Sequence, residues 1–321
     1  MLRDEMITVF GGSGFVGRYV VRALAKRGYR IRVATRRPHL AGDLKVMGVV
    51  GQIQLVQANI RVESSVARAV EGADAVVNLI GVLSEQGRQS FSRLHAMGAK
   101  TVADAARKAG AARMIHVSAI GADAGSQSRY ARTKAEGEAH VAKAFKGATI
   151  IRPSIIFGAE DEFFNRFASM ARFVPALPLI GGGKTKFQPV YVSDVADAIA
   201  NALAEPTTAG RVYELGGPRV YTFKELMDFI LKTIDRPRFL VPVPFPIAGL
   251  MGLGGEMFGA LPFAQPFLTR DQVAQLKVDN VVHPRARGIE DLGVHPETVE
   301  AIVPVYLGRY RRYGQFHERS A

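Results

Sequence analysis

The sequence predicts an α/β fold, a doubly wound parallel sheet with a smaller C-terminal α/β lobe, on three observations. Short apolar runs alternate with amphipathic helical runs through the first half of the chain. A glycine-rich turn joins the first such strand to the first helix, and the alternation loosens after Pro153. Parallel strands covered on both faces read as continuous apolar segments, which is how these runs look. With 321 residues, 48% of them hydrophobic, the chain can bury a full core.

The first strand is Met6–Phe10, and the next residues read Gly11-Gly12-Ser13-Gly14-Phe15-Val16-Gly17 before the helical stretch that starts at Arg18. A strand turning sharply into a helix needs residues without a Cβ, and the same residues let backbone N–H groups approach a pyrophosphate at the positive end of the helix dipole. The alternative is a plain tight turn. The order strand, loop, helix favours a Rossmann-type dinucleotide site contacted by Gly11, Gly12, Ser13, Gly14, Phe15, Val16 and Gly17.

The second strand, Arg30–Thr35, ends in Arg36-Arg37-Pro38. An acid after this strand would meet the ribose of NAD, whereas a guanidinium suits the 2′-phosphate of NADP. NADP(H) is therefore preferred, with NAD(H) left open, since arginines also coat ordinary loops. The third strand is Ile53–Gln57, followed by Asn59 and Ile60 at the adenine end, where the Asn59 amide can hydrogen-bond a base. A helix over Ser64–Val70 leads to the fourth strand, Ala75–Ile80, so that Leu79, Ile80 and Gly81 lie beside the cofactor, and Gly81 permits close approach.

A long helix, Phe91–Lys108, returns to the fifth strand, Arg113–Ser118. The helix Tyr130–Ala144 then carries Tyr130 and Lys134, one turn apart on the same face. An ammonium beside a phenol favours the phenolate and so equips the tyrosine to exchange a proton with a substrate oxygen, to which Ser118 would hydrogen-bond. Each residue alone would be an unremarkable helix or cap residue. Their order after the glycine loop makes Ser118, Tyr130 and Lys134 the candidate catalytic set. His116 is assigned no role, as a lone strand histidine is usually core.

The sixth strand, Ala148–Arg152, is stopped by Pro153. Prolines and Gly181-Gly182-Gly183 then divide the chain into shorter pieces, and Val190–Val192 reads as a strand feeding a helix, Val195–Ala204, capped by Ser193-Asp194. The dinucleotide domain is expected over 1–155, with parts of 184–220 returning to it, and the smaller lobe over 156–321.

The absence of cysteine excludes disulfides, thiolate catalysis and thiolate metal or iron–sulfur sites. No metal site is predicted. A first strand beginning at Met6 leaves no room for a basic n-region and an apolar h-region before it, and no stretch of about 20 uninterrupted apolar residues is present, so the protein is expected to be neither secreted nor membrane-spanning. A net charge of +13 and a pI near 10.1 call for an anionic partner. No nucleic-acid module is recognisable, leaving an anionic membrane surface or an acidic protein. The apolar stretch Val241–Gly255 is too short and broken to span a bilayer; it is read as the second lobe's own core, with a membrane or quinone-channel surface as the alternative. Tyr306, Arg309, Tyr310, Arg311, Arg312 and Tyr313 form a basic aromatic end suited to an anionic partner.

The glycine spacing resembles the extended and atypical short-chain dehydrogenase/reductase families, of the NAD-dependent epimerase/dehydratase kind. The segments Ile151–Gly158, Glu160–Met170 and Gly183–Val192, with Thr269–Val273 and Glu290–Val294, are similar to the dehydrogenase-like accessory subunits of respiratory complex I. That resemblance implies an NADPH held structurally and attachment to complex I subunits close to the quinone site. It also implies a peripheral place on the cytoplasmic or matrix side of an energy-transducing membrane. Pro153, Ser154, Ile155 and Ile156 would line the nicotinamide end. The alternative is an active NADP(H)-dependent reductase, epimerase or dehydratase using Ser118, Tyr130 and Lys134. The chain departs from the family pattern at His95, which stands where an asparagine usually serves the proton relay, and at Asn59, which replaces an acid.

Overall fold

In the computed structural model, which describes residues 2–85, 87, 89–259, 266–312 and 314, the chain divides into two compact units. The first comprises the described part of Met1–Pro153 together with Val192–Leu215 and His283–His295. The second comprises Ser154–Tyr191, the described part of Gly216–Val282 and the described residues from Pro296 onward.

In chain order the elements are β1 (Met6–Phe10), α1 (Phe15–Lys26), β2 (Arg30–Thr35), β3 (Ile53–Gln57), α2 (Glu63–Val70), β4 (Ala75–Asn78), α3 (Gly98–Lys108), β5 (Arg113–Val117), α4 (Arg129–Ala144) and β6 (Thr149–Pro153). They continue as β7 (Ile156–Phe157), α5 (Phe164–Met170), β8 (Ala176–Ile180), β9 (Lys186–Phe187), β10 (Val190–Tyr191), α6 (Val192–Ala204), β11 (Val212–Leu215), β12 (Tyr221–Thr222), α7 (Phe223–Thr233), β13 (Phe239–Val243), α8 (Phe245–Gly259), α9 (Arg270–Gln275) and α10 (Val299–Leu307).

Seven of these strands form one parallel sheet in the order β11-β6-β5-β4-β1-β2-β3. The order reverses between β1 and β4, and the crevice outside the carboxyl ends of such strands is where α/β sheets bind ligands. Alternation along the strands feeds two cores. Phe10, Ala34, Val76 and Met114 pack with Val66, Val102, Ala106 and Val141 from α2, α3 and α4. Ile7, Val9, Ile31 and Val33 are fully buried, as are Val20, Val21 and Leu24 of α1 and Val195, Ile199 and Leu203 of α6, which packs beside α1. Burial of each such side chain contributes about 1.5–3 kcal/mol.

The predicted helix Phe91–Lys108 contains a feature that periodicity cannot reveal. Ser92–Met97 is wound as a π-turn before α3 continues regularly. Such turns arise where tertiary packing holds a carbonyl away from its α-helical partner. The packing partner here is Gly137 of α4, where a Cβ would overlap the His95 carbonyl oxygen. A second network locks α4 to the sheet: Arg152 of β6 donates from Nε (2.9 Å) and Nη2 (2.6 Å) to both Glu138 oxygens, and from Nη1 to Glu214 of β11 at 3.4 Å.

Several boundaries move. α1 starts at Phe15, three residues before the expected Arg18, and β4 and β5 stop at Asn78 and Val117. The helix expected from Val195 begins at Val192, so Ser193 and Asp194 sit in its first turn rather than before it, and the preceding strand is only Val190–Tyr191.

The second unit centres on Phe157, Phe164, Leu177, Phe187, Phe223, Leu226, Ile230 and Val303. α7 is started by a reciprocal capping box between Thr222 and Glu225. The parallel ribbon β8–β13 leads into α8. The expectation that Val241–Gly255 forms this unit's core is incorrect: within α8 only Ala248 and Gly252 are buried, while Ile247, Leu250, Met251 and Leu253 are exposed. The C-terminal tyrosines Tyr306 and Tyr310 are half-buried against the same unit. Tyr306 donates its hydroxyl hydrogen to Asp161 at 2.5 Å and Tyr310 to Asn165 at 3.2 Å, because aromatic hydroxyls so placed satisfy polar groups beside the core. Tyr313 lies outside the described residues.

Gly137→Ala is expected to push α4 off the π-turn and lower stability by about 1–3 kcal/mol, the usual cost of overpacking. Urea denaturation measures this directly.

Candidate functional site

At the end of β1 the chain turns at Gly11, whose φ of 81° is open to glycine and strained for other residues. The Gly14 N–H donates to the Gly11 carbonyl at 3.0 Å, and α1 then begins with no side-chain cap on its first turn. The remaining glycines have separate reasons. A Cβ on Gly12 would come within 2.9 Å of Val33, and one on Gly17 would overlap the Gly11 carbonyl oxygen, so α1 could not lie this close to β1. At Gly14 a Cβ would meet only the Gly11 oxygen, at 3.3 Å; here the absent side chain leaves the helix terminus approachable. Ser13 ties the loop to Thr35 at the end of β2, at 3.2 Å between hydroxyls. Leu79 N–H donates to the Phe10 carbonyl and a Gly11 Cβ would crowd Ile80, so the loop and the end of β4 meet. An uncapped helix terminus reached by glycine backbone is suited to a pyrophosphate.

Arg36 and Arg37 follow β2 and are both exposed, with Arg36 donating to Gln89 at 3.1 Å. Asn59 Oδ1 accepts from the backbone and side chain of Arg61, each at 3.2 Å, so its amide nitrogen is the group left to meet a base. The Ile60 side chain is core, pressed where a Cβ on Gly98 would be.

Of the candidate catalytic residues, Lys134 reaches the end of β5, where Ser118 follows, and Tyr130 lies beside Lys134. Lys134 is buried and donates to the Val117 carbonyl at 3.2 Å, which brings α4 against the residue preceding Ser118. A Cβ on Gly81 would lie 3.2 Å from Lys134 Nζ, so the missing side chain leaves room for the lysine rather than showing an approach to a cofactor. Burial pushes the Lys134 amine down to about 8, against the opposing pull of Glu138. The Tyr130 ring is held edge-on by Phe91 (5.7 Å between centroids) and His95 (5.2 Å), with Lys134 Nζ 5.9 Å from its centre. Ser118 is buried, and its Oγ has no hydrogen-bond partner among the described residues.

Hydrogen bonding determines which nitrogen of His95 carries the proton. Val82 N–H donates to Nε2 at 3.1 Å, so that atom offers a lone pair; Nδ1 then carries the hydrogen and donates to Thr133 Oγ1 at 3.2 Å. The Thr133 hydroxyl donates in turn to the Tyr130 carbonyl at 3.1 Å. Burial, then the fields of Lys134 and His116, push the imidazole down to about 3. His95 is a neutral brace with both nitrogens engaged. His116 is fixed by the same logic: Asn78 Oδ1 accepts from Ile80 N–H, leaving its amide nitrogen to donate to His116 Nδ1 at 3.2 Å. The proton of His116 is on Nε2, which has no partner among the described residues, and burial followed by Lys134 pushes this ring down to about 3 as well. Phe91, Thr133, Asn78 and Val82 carry no sequence motif; only the packing reveals them.

Of the four residues expected at the nicotinamide end, Pro153 closes β6 and its carbonyl accepts from Ile120 N–H at 3.0 Å. Ser154, Ile155 and Ile156 open the second unit. There the Ser154 hydroxyl donates to Asn280 Oδ1 at 2.7 Å, and the Ile155 carbonyl accepts from Val190 N–H.

With this geometry in place, the comparison with known sequences is decisive. Residues 7–216 match the profile of the NAD dependent epimerase/dehydratase family. The chain belongs to that family. Members with related sequences include the mouse mitochondrial NADH dehydrogenase [ubiquinone] 1 alpha subcomplex subunit 9, 37% identical over 308 residues, covering 95% of this chain and 80% of that one. A ceramide reductase of Caulobacter vibrioides is 31% identical over 246 residues, covering 75% of this chain and 74% of the other. Among solved structures, an Escherichia coli NADPH-dependent quinone oxidoreductase complexed with NADPH superposes with a TM-score of 0.74 over 94% of this chain and all of its own, at 22% identity, a likeness of fold. For this epimerase/dehydratase-family chain, the uncapped glycine-rich terminus of α1 and the unpartnered Ser118 oxygen fit a nicotinamide dinucleotide.

The buried neutral histidines make stability sensitive to acid. Each binds its proton less tightly folded than unfolded, so their contribution is fully present above about 6.5 and is lost as pH falls toward about 3. Urea midpoints measured from pH 7 to 4 are expected to fall, and His116→Gln should flatten that slope.

Proposed function

We propose that this chain is an accessory or assembly protein of respiratory complex I that holds NADP(H) as a structural ligand. The observation that carries the complex I part is the 37% identity to the mouse alpha subcomplex subunit over 95% of this chain. The structural role of the cofactor rests on His95. In the slot where an asparagine would pass protons, both imidazole nitrogens are committed, to Val82 and Thr133, and burial opposes protonation. Such a residue holds Tyr130 in place and offers the site no exchangeable proton.

The chain's own groups divide the work of holding the ligand. Backbone N–H groups from Gly11 to Gly17 face the pyrophosphate at the terminus of α1. Arg36 and Arg37 pair with a 2′-phosphate, which favours NADP(H) over NAD(H), and Asn59 meets the adenine. Ser118, Tyr130 and Lys134, with Leu79, Ile80 and Gly81, serve the nicotinamide half, joined by Pro153, Ser154, Ile155 and Ile156. Bound nicotinamide supplies hydride chemistry. The positive charge suits an anionic membrane surface, and the protein stands peripherally on the cytoplasmic or matrix side, with quinone nearby.

A second reading, an active NADP(H)-dependent reductase, is favoured by the Lys134 amine at about 8 and by the unpartnered Ser118 oxygen. In that case Tyr130 would protonate the substrate oxygen.

Native purification followed by mass spectrometry tests the leading reading: complex I subunits and a stoichiometric NADP(H) that survives gel filtration are expected. A chain recovered without complex I subunits would overturn it. Replacing Arg36 and Arg37 by glutamate should weaken NADPH binding at least about tenfold while affecting NADH little, as expected for loss of phosphate contacts. Steady NADPH turnover abolished by Tyr130→Phe would favour the second reading instead.

A further inference from the structure

The second unit gathers arginines in one place without matching carboxylates. Three segments meet there: 171–173 after α5, 232–238 at the end of α7, and 309–312 after α10. Side chains that cross from one segment to the next fix their meeting. Arg238 donates from Nε to the Ala171 carbonyl at 2.8 Å, Arg236 from Nε to the Tyr310 carbonyl at 2.9 Å, and Arg311 from Nε to the Thr233 carbonyl at 3.2 Å. Together the segments carry seven cationic side chains and a single carboxylate, Asp235. Arg172, Arg236 and Arg238 form no ion pair with a carboxylate among the described residues.

Part of this arrangement is ordinary helix termination. Thr233 closes α7 and Ala171 follows α5, and cations are favoured beside such C-terminal carbonyls. That role uses the Nε edge of each side chain. A guanidinium carries further N–H donors on its two Nη groups, and a helix end has no need of several guanidinia in one another's field. Burial, then the fields of Arg238, Arg172 and Arg312, hold the Arg236 guanidinium below its ordinary value. Arg236 and Arg238 are half-buried and Arg172 and Arg312 exposed, so the cluster has a fixed floor and a face open to solvent. Cations held together against their own repulsion form a preorganised receptor for concentrated negative charge.

We infer that Arg172, Arg236, Arg238 and Arg312 form a binding site for a multiply charged phosphate, either a free polyphosphate or the phosphate chain of a nucleotide. The guanidinium fork matches two phosphate oxygens at once, and a polyphosphate delivers several charges within one small volume. An acidic peptide spreads single charges along its length, and a diester phospholipid brings only one. The Phe173 ring is 77% exposed beside the Arg172 guanidinium, 5.4 Å from it, and offers a face on which a base can stack. The site lies wholly within the second unit and shares no residue with the nicotinamide site, so it stands apart from the complex I reading.

The test is calorimetric titration of the full chain, saturated with NADPH to close the glycine-loop site, with sodium tripolyphosphate and separately with ATP. Binding of one equivalent that weakens with salt is expected. Arg172→Gln should weaken it about tenfold, as for one lost charge-assisted contact, and Arg172→Gln combined with Arg236→Gln should remove it. Arg107→Gln with Lys108→Gln, which takes the same charge from exposed positions on α3, should leave it unchanged. ATP bound more tightly than tripolyphosphate, with the excess lost in Phe173→Ser, identifies a nucleotide; equal affinities identify a free polyphosphate. Should Arg236→Gln lower the thermal midpoint, the exposed pair Arg172→Gln with Arg312→Gln replaces it, and the same loss is expected. Absence of binding to either probe would overturn the site, as would binding unaltered by the cluster variants or lowered equally by the α3 pair. Association with anionic vesicles but with neither soluble probe would overturn it too.

Discussion

The close contact between Gly137 of α4 and the carbonyl of His95 is the constraint on which the candidate site depends. Because no side chain separates them, the segment before α3 winds as a π-turn and α4 lies against it. That approach places the His95 ring between Val82 and Thr133, sets Tyr130 against Phe91 and His95, and lets Lys134 reach the Val117 carbonyl. The bidentate Arg152–Glu138 pair holds the same helix from the sheet side. Glu138 also draws the Lys134 amine upward, so the clamp that positions the helix tempers the effect of burial on its lysine.

The electrostatics of this end of the sheet are set by burial of its titratable groups. Two histidines and one lysine lie within reach of each other's fields. Burial keeps both imidazoles neutral, which spares Lys134 two like charges. The tautomers follow from neighbouring donors: a backbone N–H at Val82 and a side-chain amide at Asn78 each claim one lone pair. The site therefore combines an intact serine, tyrosine and lysine with a relay position whose protons are committed elsewhere.

The two units use apolar residues in opposite ways. In the first, strand alternation and helix periodicity both point large side chains inward, and the sheet consumes them. In the second, α8 spends alanine and glycine on packing and turns its large residues outward. Composition alone assigns that helix to a core. Its true orientation depends on the Leu268–Arg270 backbone pressing on Gly252 and Gly255, a contact between residues with no distinguishing pattern of their own.

What the sequence determined by itself was the parallel α/β order, the glycine loop and the positions of Ser118, Tyr130 and Lys134. These follow from local rules: apolar runs make buried strands, glycine alone tolerates the turn at Gly11, and residues one helical turn apart share a face. Tertiary structure alone decided the π-turn at Ser92–Met97, the engaged state of both His95 nitrogens and the outward face of α8. Each depends on a partner distant in the chain or on which side of a helix meets its neighbour. Periodicity defines that there are two faces; only packing selects which one is buried.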